Sequence, residues 1–307
     1  SNPNIFAYDK YIAILSKNKL SAYTSKGTLA SELDVNISVP LSHSDGKYMV
    51  LGEKDGDKLY LISEGRILWN TKVEGKISGV NVNENGYVSV IVKNTIYKSV
   101  IVFYDLSGNE LFRRYISSNY AICTDISKDN KYLAIGEVDY SGTIIKSYVT
   151  IISVEKAETD PDNSIVYTYE SNNGEIITNI NYQDKDNAVC MFNTYIQKVT
   201  SVDNTRLYDF TTDDLYVDID LDSGVAVIDK QSSGLFSYEY EVKVKSINSK
   251  AESLYILNSD LPKSVIVSGE LMAFNLGNEV RIVSQFGWLQ KKYTSSNQIK
   301  NVVLGNS

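Results

Sequence analysis

The chain has 307 residues, a formal net charge of −8 and a sequence pI of about 4.9. An acidic surface repels the phosphates of nucleic acids and anionic lipid headgroups, so we expect no nucleic-acid partner. Tyrosine is abundant, at 23 residues, and proline is scarce, at four. Because tyrosine favours pleated backbone, this composition indicates β structure. A chain of this length either divides into domains or repeats one structural unit.

A hairpin pattern recurs seven times along the chain. In each copy a segment of alternating polarity is followed by a polar corner and a mostly apolar run, which is typical of a β-hairpin. In chain order the copies are IFAYDKYIAIL (5–15), PLSHSDGKYMVLG (40–52), GVNVNENGYVSVIV (79–92), TDISKDNKYLAIG (124–136), NINYQDKDNAVCMF (179–192), VDIDLDSGVAVID (217–229) and VIVSGELMAF (265–274).

A second hairpin is predicted after each first one. These segments are LSAYTSKGTLASEL (20–33), LYLISEGRILWNTK (59–72), VFYDLSGNELFRRY (102–115), VTIISVEKAE (149–158), KVTSVDNTRLYDF (198–210), VKVKSINSKAESLYIL (242–257) and VRIVSQFGWLQKKY (280–293). Several turns contain glycine, at Gly27, Gly65, Gly108 and Gly287. The repeat averages about 44 residues, close to the ~40–45 of a four-stranded propeller blade.

The repeat predicts an all-β fold, a single seven-bladed β-propeller of four-stranded antiparallel blades over residues 1–307. Four strands cannot bury both of their faces alone, whereas radially stacked blades cover one another. The predicted blades are 1–38, 39–76, 77–119, 120–175, 176–213, 214–261 and 262–298. The tail IKNVVLGNS, 299–307, is expected either to close the ring beside the first blade or to begin an eighth, incomplete blade.

Three alternate aspartates in VDIDLDSG (Asp218, Asp220 and Asp222) form a weak candidate calcium site. An EF-type loop needs glycine at its sixth position, where this chain has Ser223. A strand is expected at the twelfth position, Asp229, where the calcium loop places its last ligand. Since alternate positions share one face of a strand, we interpret these carboxylates as lining the central channel.

No catalytic residue, metal ligand set or cofactor is predicted. His43 is the only histidine and is expected to be solvated at a hairpin corner. Cys123 and Cys190 lie in apolar runs and outside any CxxC pair, so we expect buried free thiols. Trp69 and Trp288 are expected to pack between blades.

The segment LYLISEGRILWNTKV (59–73) resembles repeats of the quinoprotein-like (PQQ-like, WD-like) propeller superfamily, whose blades run apolar-x-apolar, Gly, two residues, Leu-Trp. Dehydrogenases of that superfamily use adjacent cysteines and a Gly-Asp-Trp motif. This chain has neither, so the resemblance implies the fold without a quinone cofactor.

The segment IFAYDKYIAILSKNKLSAYTSKGTLASELDVN (5–36) resembles a family of uncharacterised clostridial proteins. Members of that family carry one N-terminal membrane anchor followed by an extracytoplasmic propeller. The chain opens with Ser-Asn-Pro and no initiator methionine, as after cleavage by a protease. The resemblance therefore implies an extracytoplasmic domain whose only link to the membrane is an N-terminal anchor that has been removed.

Three connections between second and third strands are expanded, namely VKNTIYKS (92–99), GEVDYSGTIIKS (136–147) and DKQSSGLFSYEY (229–240). In a propeller these connections share one side with those that lead from a fourth strand to the next blade, and we call this side the loop face. Aromatic residues in such loops supply contact area at low entropic cost. The candidate binding residues are Tyr97, Tyr120, Tyr140, Tyr216, Phe236 and Tyr238. The alternative is that these rings only cap the barrel mouth.

The leading functional hypothesis is a non-enzymatic binding or assembly module of the cell envelope that recognises a protein or a glycan through the loop face. The alternative is a glycan hydrolase or lyase that uses carboxylates at the channel mouth. A deep pocket with two carboxylates and an arginine would favour the enzyme, and an aromatic rim would favour the binding module. A purely structural spacer is the third possibility.

Overall fold

The computed structural model describes residues 4–210, 214–220, 224–232, 235, 238–246, 252–258 and 261–305. Its contacts divide the chain into two compact units, Ser1–Leu207 and Tyr208–Asn306. The fold is an all-β seven-bladed β-propeller, as the repeat predicts. In each of the seven sheets, four strands pair in sequence order.

The first five sheets contain strands β1 to β20. Blade 1 consists of β1 (Asn4–Tyr8), β2 (Tyr11–Ser16), β3 (Lys19–Tyr23) and β4 (Leu29–Asp34). Blade 2 consists of β5 (Pro40–Asp45), β6 (Tyr48–Glu53), β7 (Lys58–Ser63) and β8 (Arg66–Lys72). Blade 3 consists of β9 (Lys76–Val82), β10 (Val88–Lys93), β11 (Ser99–Tyr104) and β12 (Glu110–Ile116). Blade 4 consists of β13 (Tyr120–Ile126), β14 (Tyr132–Asp139), β15 (Lys146–Ser153) and β16 (Ile165–Glu170). Blade 5 consists of β17 (Ile177–Tyr182), β18 (Ala188–Phe192), β19 (Tyr195–Val199) and β20 (Asn204–Asp209).

The faces of neighbouring blades in the Ser1–Leu207 unit pack against one another. One core cluster joins Leu59 of blade 2 to Val90 of blade 3, and the next joins Phe103 of blade 3 to Leu133 of blade 4. Strand β11 is covered on both sides, so every residue from Ser99 to Tyr104 is buried. This packing confirms the expectation that each blade shields the apolar faces of its neighbours.

Blade 4 departs from the predicted double hairpin. The segment 149–158 was expected to turn directly into a closing strand, but β15 ends at Ser153 and a helix, α1 (Val154–Thr159), follows it. The Ser153 side chain accepts a hydrogen bond from the backbone N–H of Lys156, and Ala157 is fully buried. Serine is a favoured helix N-cap and alanine a strong helix former, which explains the helix. A 3-10 turn at Pro161–Asn163 then leads into β16.

The hairpin turn at Gly108 positions one of the two tryptophans. Gly108 has φ of +83°, and a Cβ atom there would lie 2.9 Å from the ring of Trp69. The Trp69 ring packs on Tyr104 of blade 3 at 5.7 Å between centroids, and its Nε1 donates to the carbonyl of Leu106 at 3.0 Å. The expected packing of Trp69 between blades is therefore confirmed.

The Tyr208–Asn306 unit contains the last two blades. Blade 6 consists of β21 (Asp214–Asp220), β22 (Gly224–Ser232), β23 (Tyr238–Ser246) and β24 (Glu252–Asn258). Blade 7 consists of β25 (Ser264–Ser268), β26 (Leu271–Asn275), β27 (Glu279–Ser284) and β28 (Leu289–Thr294). Their shared core includes Ile228 and Val242 of blade 6 with Met272 and Phe274 of blade 7.

Two expectations for this unit differ from the structure. Trp288 is 72% exposed, so its predicted packing between blades is wrong. The reason is its place in the turn before β28, whose own six residues are all exposed. Residues 299–305 form no strand, although the tail was expected to supply one, either to close the ring beside the first blade or to begin an eighth blade. Instead the N–H of Ile299 donates to the carbonyl of Gly277 at 2.7 Å, and its carbonyl accepts from Asn275 Nδ2 at 3.0 Å.

Candidate binding site

A pocket of about 690 Å³ opens on the loop face of the Ser1–Leu207 unit, among blades 2, 3 and 4. The connection between β10 and β11, with the strand residue at each of its ends, supplies residues 93–99, and the start of β13 supplies 120–122. Tyr140 comes from the connection between β14 and β15, Lys54 from the one between β6 and β7, and Ser78 from β9. The pocket is therefore built from the connections that sequence analysis assigned to one face.

Three of the six predicted binding residues line this pocket, namely Tyr97, Tyr120 and Tyr140. Tyr216 lies in β21 and Tyr238 in β23, but their side chains are outside the described part of the chain, as is Phe236 altogether. The structure thus brings together the residues from blades 3 and 4. Their role in binding stays a prediction.

Tyr120 and Tyr140 form an exposed aromatic pair at the pocket rim. Their ring centroids are 5.8 Å apart with an interplanar angle of 53°, and the residues are 42% and 47% exposed. Tyr97 differs, because it packs against the core between blades 2 and 3 and its ring lies 4.7 Å from that of Tyr115. Tyr97 therefore forms a supported wall, while Tyr120 and Tyr140 leave ring surface accessible for contact.

Side-chain hydrogen bonds fix the loops that carry these rings. Asn94 Oδ1 accepts from the N–H groups of Ile96 at 2.8 Å and Tyr97 at 3.2 Å, which closes a tight turn. Ser99 Oγ accepts from the N–H of Ala121 at 3.0 Å and so joins blade 3 to blade 4. These bonds hold the pocket walls in place without a ligand.

The loop that carries Tyr140 has a similar turn. Asp139 Oδ1 accepts from the N–H of Ser141 at 2.8 Å. Hydrogen bonds from the side chain and backbone of Ser141 lower the pKa of Asp139, and the charge of Lys98 lowers it further. The carboxylate is therefore ionised at neutral pH and serves as the acceptor that shapes this loop.

Three lysines line the pocket (Lys54, Lys93 and Lys98), and none of its described lining residues is acidic. Lys98 Nζ lies 5.3 Å from the centroid of the Tyr120 ring and donates to the Ser118 carbonyl at 2.6 Å. These lysines are not among the binding residues predicted from the sequence. The available signal was the pair of lysines, Lys93 and Lys98, at the two ends of the expanded loop VKNTIYKS.

An exposed carboxylate lies beside these cations. Lys93 Nζ donates to Asp55 Oδ1 at 2.8 Å. This hydrogen bond is the main cause of a lowered pKa at Asp55, and the charges of Lys93, Lys54 and Lys76 contribute in the same direction. Asp55 is thus paired with one lysine and lies near two others, although the whole chain is acidic.

The predicted weak calcium site is only partly within the described residues. Asp218 and Asp220 lie on β21, paired with Ala226 and Gly224 of β22, while their side chains and all of Asp222 are outside the described part. Asp229 lies within β22, as expected of a strand at the twelfth loop position. Across the described residues no group of three His, Cys, Asp or Glu side chains could hold a metal ion.

The lone histidine and the two cysteines pack within the blades. His43 lies inside β5 rather than at a solvated corner, so that prediction is wrong. Its Nδ1 is 3.2 Å from the backbone N of Val82 in blade 3, and burial lowers the pKa of the ring. Both cysteines are free, with Cys190 fully buried and Cys123 partly buried. Burial raises the pKa of Cys123 to about 12, so the thiol is a poor nucleophile at neutral pH.

Comparison with known proteins assigns the family. Residues 1–307 match the model of a family described as a family of unknown function, DUF5711. The chain belongs to DUF5711. No curated protein matches it. In the described part of this DUF5711 member, none of the helices has the length and apolar character needed to cross a membrane.

Solved propellers resemble this DUF5711 member over nearly its whole length. The C-terminal WD40 domain of Sif2 is 14% identical, with a TM-score of 0.61, covering 96% of this chain and 87% of that one. BamB from Moraxella catarrhalis is 12% identical, with a TM-score of 0.54 and coverages of 98% and 90%. Apo AztD from Citrobacter koseri is 10% identical, with a TM-score of 0.58 and coverages of 96% and 87%. At these identities the likeness shows the fold alone.

Proposed function

We propose that this DUF5711 propeller is a non-enzymatic binding or assembly module of the cell envelope, which recognises a protein or a glycan through its loop face. The observation that supports this most is the half-exposed pair Tyr120 and Tyr140 on the rim of a preformed pocket. In this proposal the domain lies outside the cytoplasm and is attached to the membrane by an N-terminal anchor.

The pocket has the size of a recognition site, and hydrogen bonds tie its loops together. Its volume of about 690 Å³ lies within the ~300–1,000 Å³ common for small-molecule and cofactor sites. The loops are held by Asn94, Ser99 and Asp139 before any ligand arrives. Because little ordering remains to be done on binding, more of the contact energy is available as affinity.

The carboxylate-based hydrolase or lyase receives no support from this pocket. Such an enzyme needs an acid and a base or nucleophile beside the scissile bond. The described lining contains neither aspartate nor glutamate. The nearby carboxylates of Asp55 and Asp139 are engaged with Lys93 and Ser141, and hydrogen bonding lowers their pKa values, which is unsuited to a general acid.

The proposal is tested by removing the two exposed rings together. The double variant Tyr120→Ala/Tyr140→Ala should lose at least about tenfold in retention on an immobilised panel of envelope polysaccharides and envelope proteins, because binding energy concentrates in aromatic anchors. Both residues are nearly half exposed and lie at the pocket rim rather than in the core, so the thermal midpoint should change little. Released sugar is measured in the same incubation.

The matched control is Phe286→Ala/Tyr293→Ala, which removes two other exposed rings, 68% and 45% exposed, from blade 7. Its retention should equal that of the unmodified protein. If the Tyr120→Ala/Tyr140→Ala variant were retained as well as the unmodified protein, this result would contradict the binding role of the pocket. Release of sugar by the unmodified protein would contradict the non-enzymatic role.

A further inference from the structure

The charge around the Tyr120–Tyr140 pocket is opposite in sign to that of the chain as a whole. The chain has a formal charge of −8, yet Lys54, Lys93 and Lys98 line the pocket without any acidic residue in its described lining. Lys76 adds a fourth positive charge near Asp55, so the positive charges outnumber the two neighbouring carboxylates, Asp55 and Asp139. A local positive field on an acidic protein raises the concentration of anions at that place and excludes cations from it.

The ammonium groups can accept an anionic ligand at small cost. Lys98 uses one of its three N–H donors on the Ser118 carbonyl, so two remain to be directed elsewhere. Lys93 and Asp55 form an exposed ion pair, with side chains 58% and 51% accessible. Exposed ion pairs contribute little to stability, so Lys93 can exchange Asp55 for a ligand anion readily.

The aromatic pair adds a requirement for apolar surface in the same ligand. Tyr120 and Tyr140 expose ring surface beside Lys98, whose Nζ lies 5.3 Å from the Tyr120 centroid. A ligand that fills the pocket therefore presents a flat, weakly polar face to the rings and negative groups to the lysines. Sugar rings that bear acidic substituents combine these two properties.

An extended peptide matches the pocket less well. Peptide recognition by strand addition depends on free backbone N–H and C=O groups at a sheet edge. Here the backbone N–H groups of Ile96, Tyr97 and Ala121 are already bonded to Asn94 and Ser99. The mobile donors of the lysines are instead suited to the varied directions of carboxylate, phosphate and hydroxyl oxygens.

We infer that the pocket formed by Lys54, Lys93, Lys98, Tyr120 and Tyr140 binds an acidic glycan, a saccharide chain that carries carboxylate or phosphate groups. This inference rests on the proposed binding function and adds the chemical class of the ligand. The tyrosines contact the sugar rings, and the lysines pair with the anionic substituents. Binding therefore requires the two tyrosine rings, and its affinity falls as the salt concentration rises.

The test is calorimetric titration of the whole chain with four probes of similar length: oligogalacturonate, oligo(glycerol phosphate), neutral dextran oligosaccharide and oligoglutamate. At about 50 mM salt, oligogalacturonate or oligo(glycerol phosphate) should bind at least about tenfold more tightly than dextran, a difference of ~1.4 kcal/mol in binding free energy. The tighter of these two identifies carboxylate or phosphate as the source of charge. Its affinity should fall on raising the salt to about 500 mM, because exposed charges are then screened.

Two variants with the same change in net charge distinguish the effect of the pocket lysines on affinity from the effect of net charge alone. Lys54→Gln/Lys93→Gln/Lys98→Gln should lower the affinity for the acidic glycan at least about tenfold, a loss of ~1.4 kcal/mol. The control Lys26→Gln/Lys131→Gln/Lys185→Gln removes the same charge from exposed lysines outside the lining and should change affinity less than about twofold. Because all six side chains lie at the surface or at the pocket, both variants should fold.

The outcomes distinguish failure of this inference from failure of the proposed function. Oligoglutamate binding as tightly as the acidic glycans, or dextran binding as tightly as both, would overturn the acidic-glycan assignment. Binding that is lost in Tyr120→Ala/Tyr140→Ala but unchanged in the pocket lysine variant would overturn it too, while leaving the loop-face function intact. Binding unchanged in both variants would overturn the site itself.

Discussion

Asp125 is a carboxyl group buried where three innermost strands meet. It lies in β13, is 6% exposed, and accepts from the N–H of Tyr182 in β17 at 2.5 Å. The side chain of Asn81, in β9, also bonds to it. Burial raises the pKa of Asp125 to about 7, although these hydrogen bonds act in the opposite direction. Blades 3, 4 and 5 are therefore linked through one titrating group.

This link predicts a pH-dependent stability. Because the pKa of Asp125 is higher in the folded chain than its unfolded value of ~3.9, the folded state binds the proton more tightly, and the free energy of unfolding should fall as pH rises from ~4 to ~7. Asp125→Asn should remove this component, on the order of a few kcal/mol, because its amide is neutral throughout. The Asn81 Oδ1, buried without a partner, can accept from the new amide.

The measurement is urea unfolding of both proteins at intervals from pH 4.5 to about pH 8, within the range over which this carboxyl titrates. Asp34→Asn, whose side chain is 84% accessible, serves as the control and should retain the pH profile of the unmodified protein. A steep fall with pH that persists in Asp125→Asn would rule out Asp125 as its source.

At the scale of elements, the contact between β8 and the neighbouring blade depends on Trp69. Its ring and Nε1 contact Tyr104 and Leu106 of blade 3. Gly108 allows the turn of blade 3 to approach that ring closely. The edge of β8 is thus joined to the next blade by one amphipathic side chain, which contributes both buried area and a hydrogen bond.

The two tryptophans give a matched pair for measuring this contact. Trp69→Ala should lower the free energy of unfolding by roughly 2–3 kcal/mol, somewhat below the ~3–5 kcal/mol of a fully buried aromatic, because Trp69 is only partly buried. Trp288→Ala removes an exposed ring and should stay within about 0.5 kcal/mol. Equal losses in denaturant unfolding would contradict the assignment of Trp69 as the residue that joins the blades.

Local patterning predicts the strands and fails where a long connection intervenes. The hairpins followed from alternating residues and glycine corners, and Gly27, Gly65, Gly108 and Gly287 all have positive φ. The helix α1 was not predicted because six residues are too few to show the 3.6-residue apolar period of a helix. The only sequence signal for it is the N-cap residue Ser153. Trp288 was misjudged because a sequence motif does not reveal which turn a neighbouring blade covers.

At the scale of the whole molecule, the seven copies of the repeat predict seven blades. The blades are expected to stack because no blade can bury its own faces. The same reasoning predicts which connections share a side, and the structure brings Tyr97, Tyr120 and Tyr140 to one pocket. The lysines of the pocket could not be predicted equally well. Lys54 is more than 40 residues from Lys98 in sequence, and only the packing of blades 2 and 3 brings them together.

Amide hydrogen exchange, measured with and without saturating acidic oligosaccharide, can show whether the loop face of blades 2, 3 and 4 is the binding surface. Binding there should slow exchange only in the loop segments 54–57, 94–98, 117–122 and 139–145, since these carry the pocket residues and their supporting turns. Slower exchange elsewhere, with these four segments unchanged while the oligosaccharide is bound, would show that the ligand binds another surface.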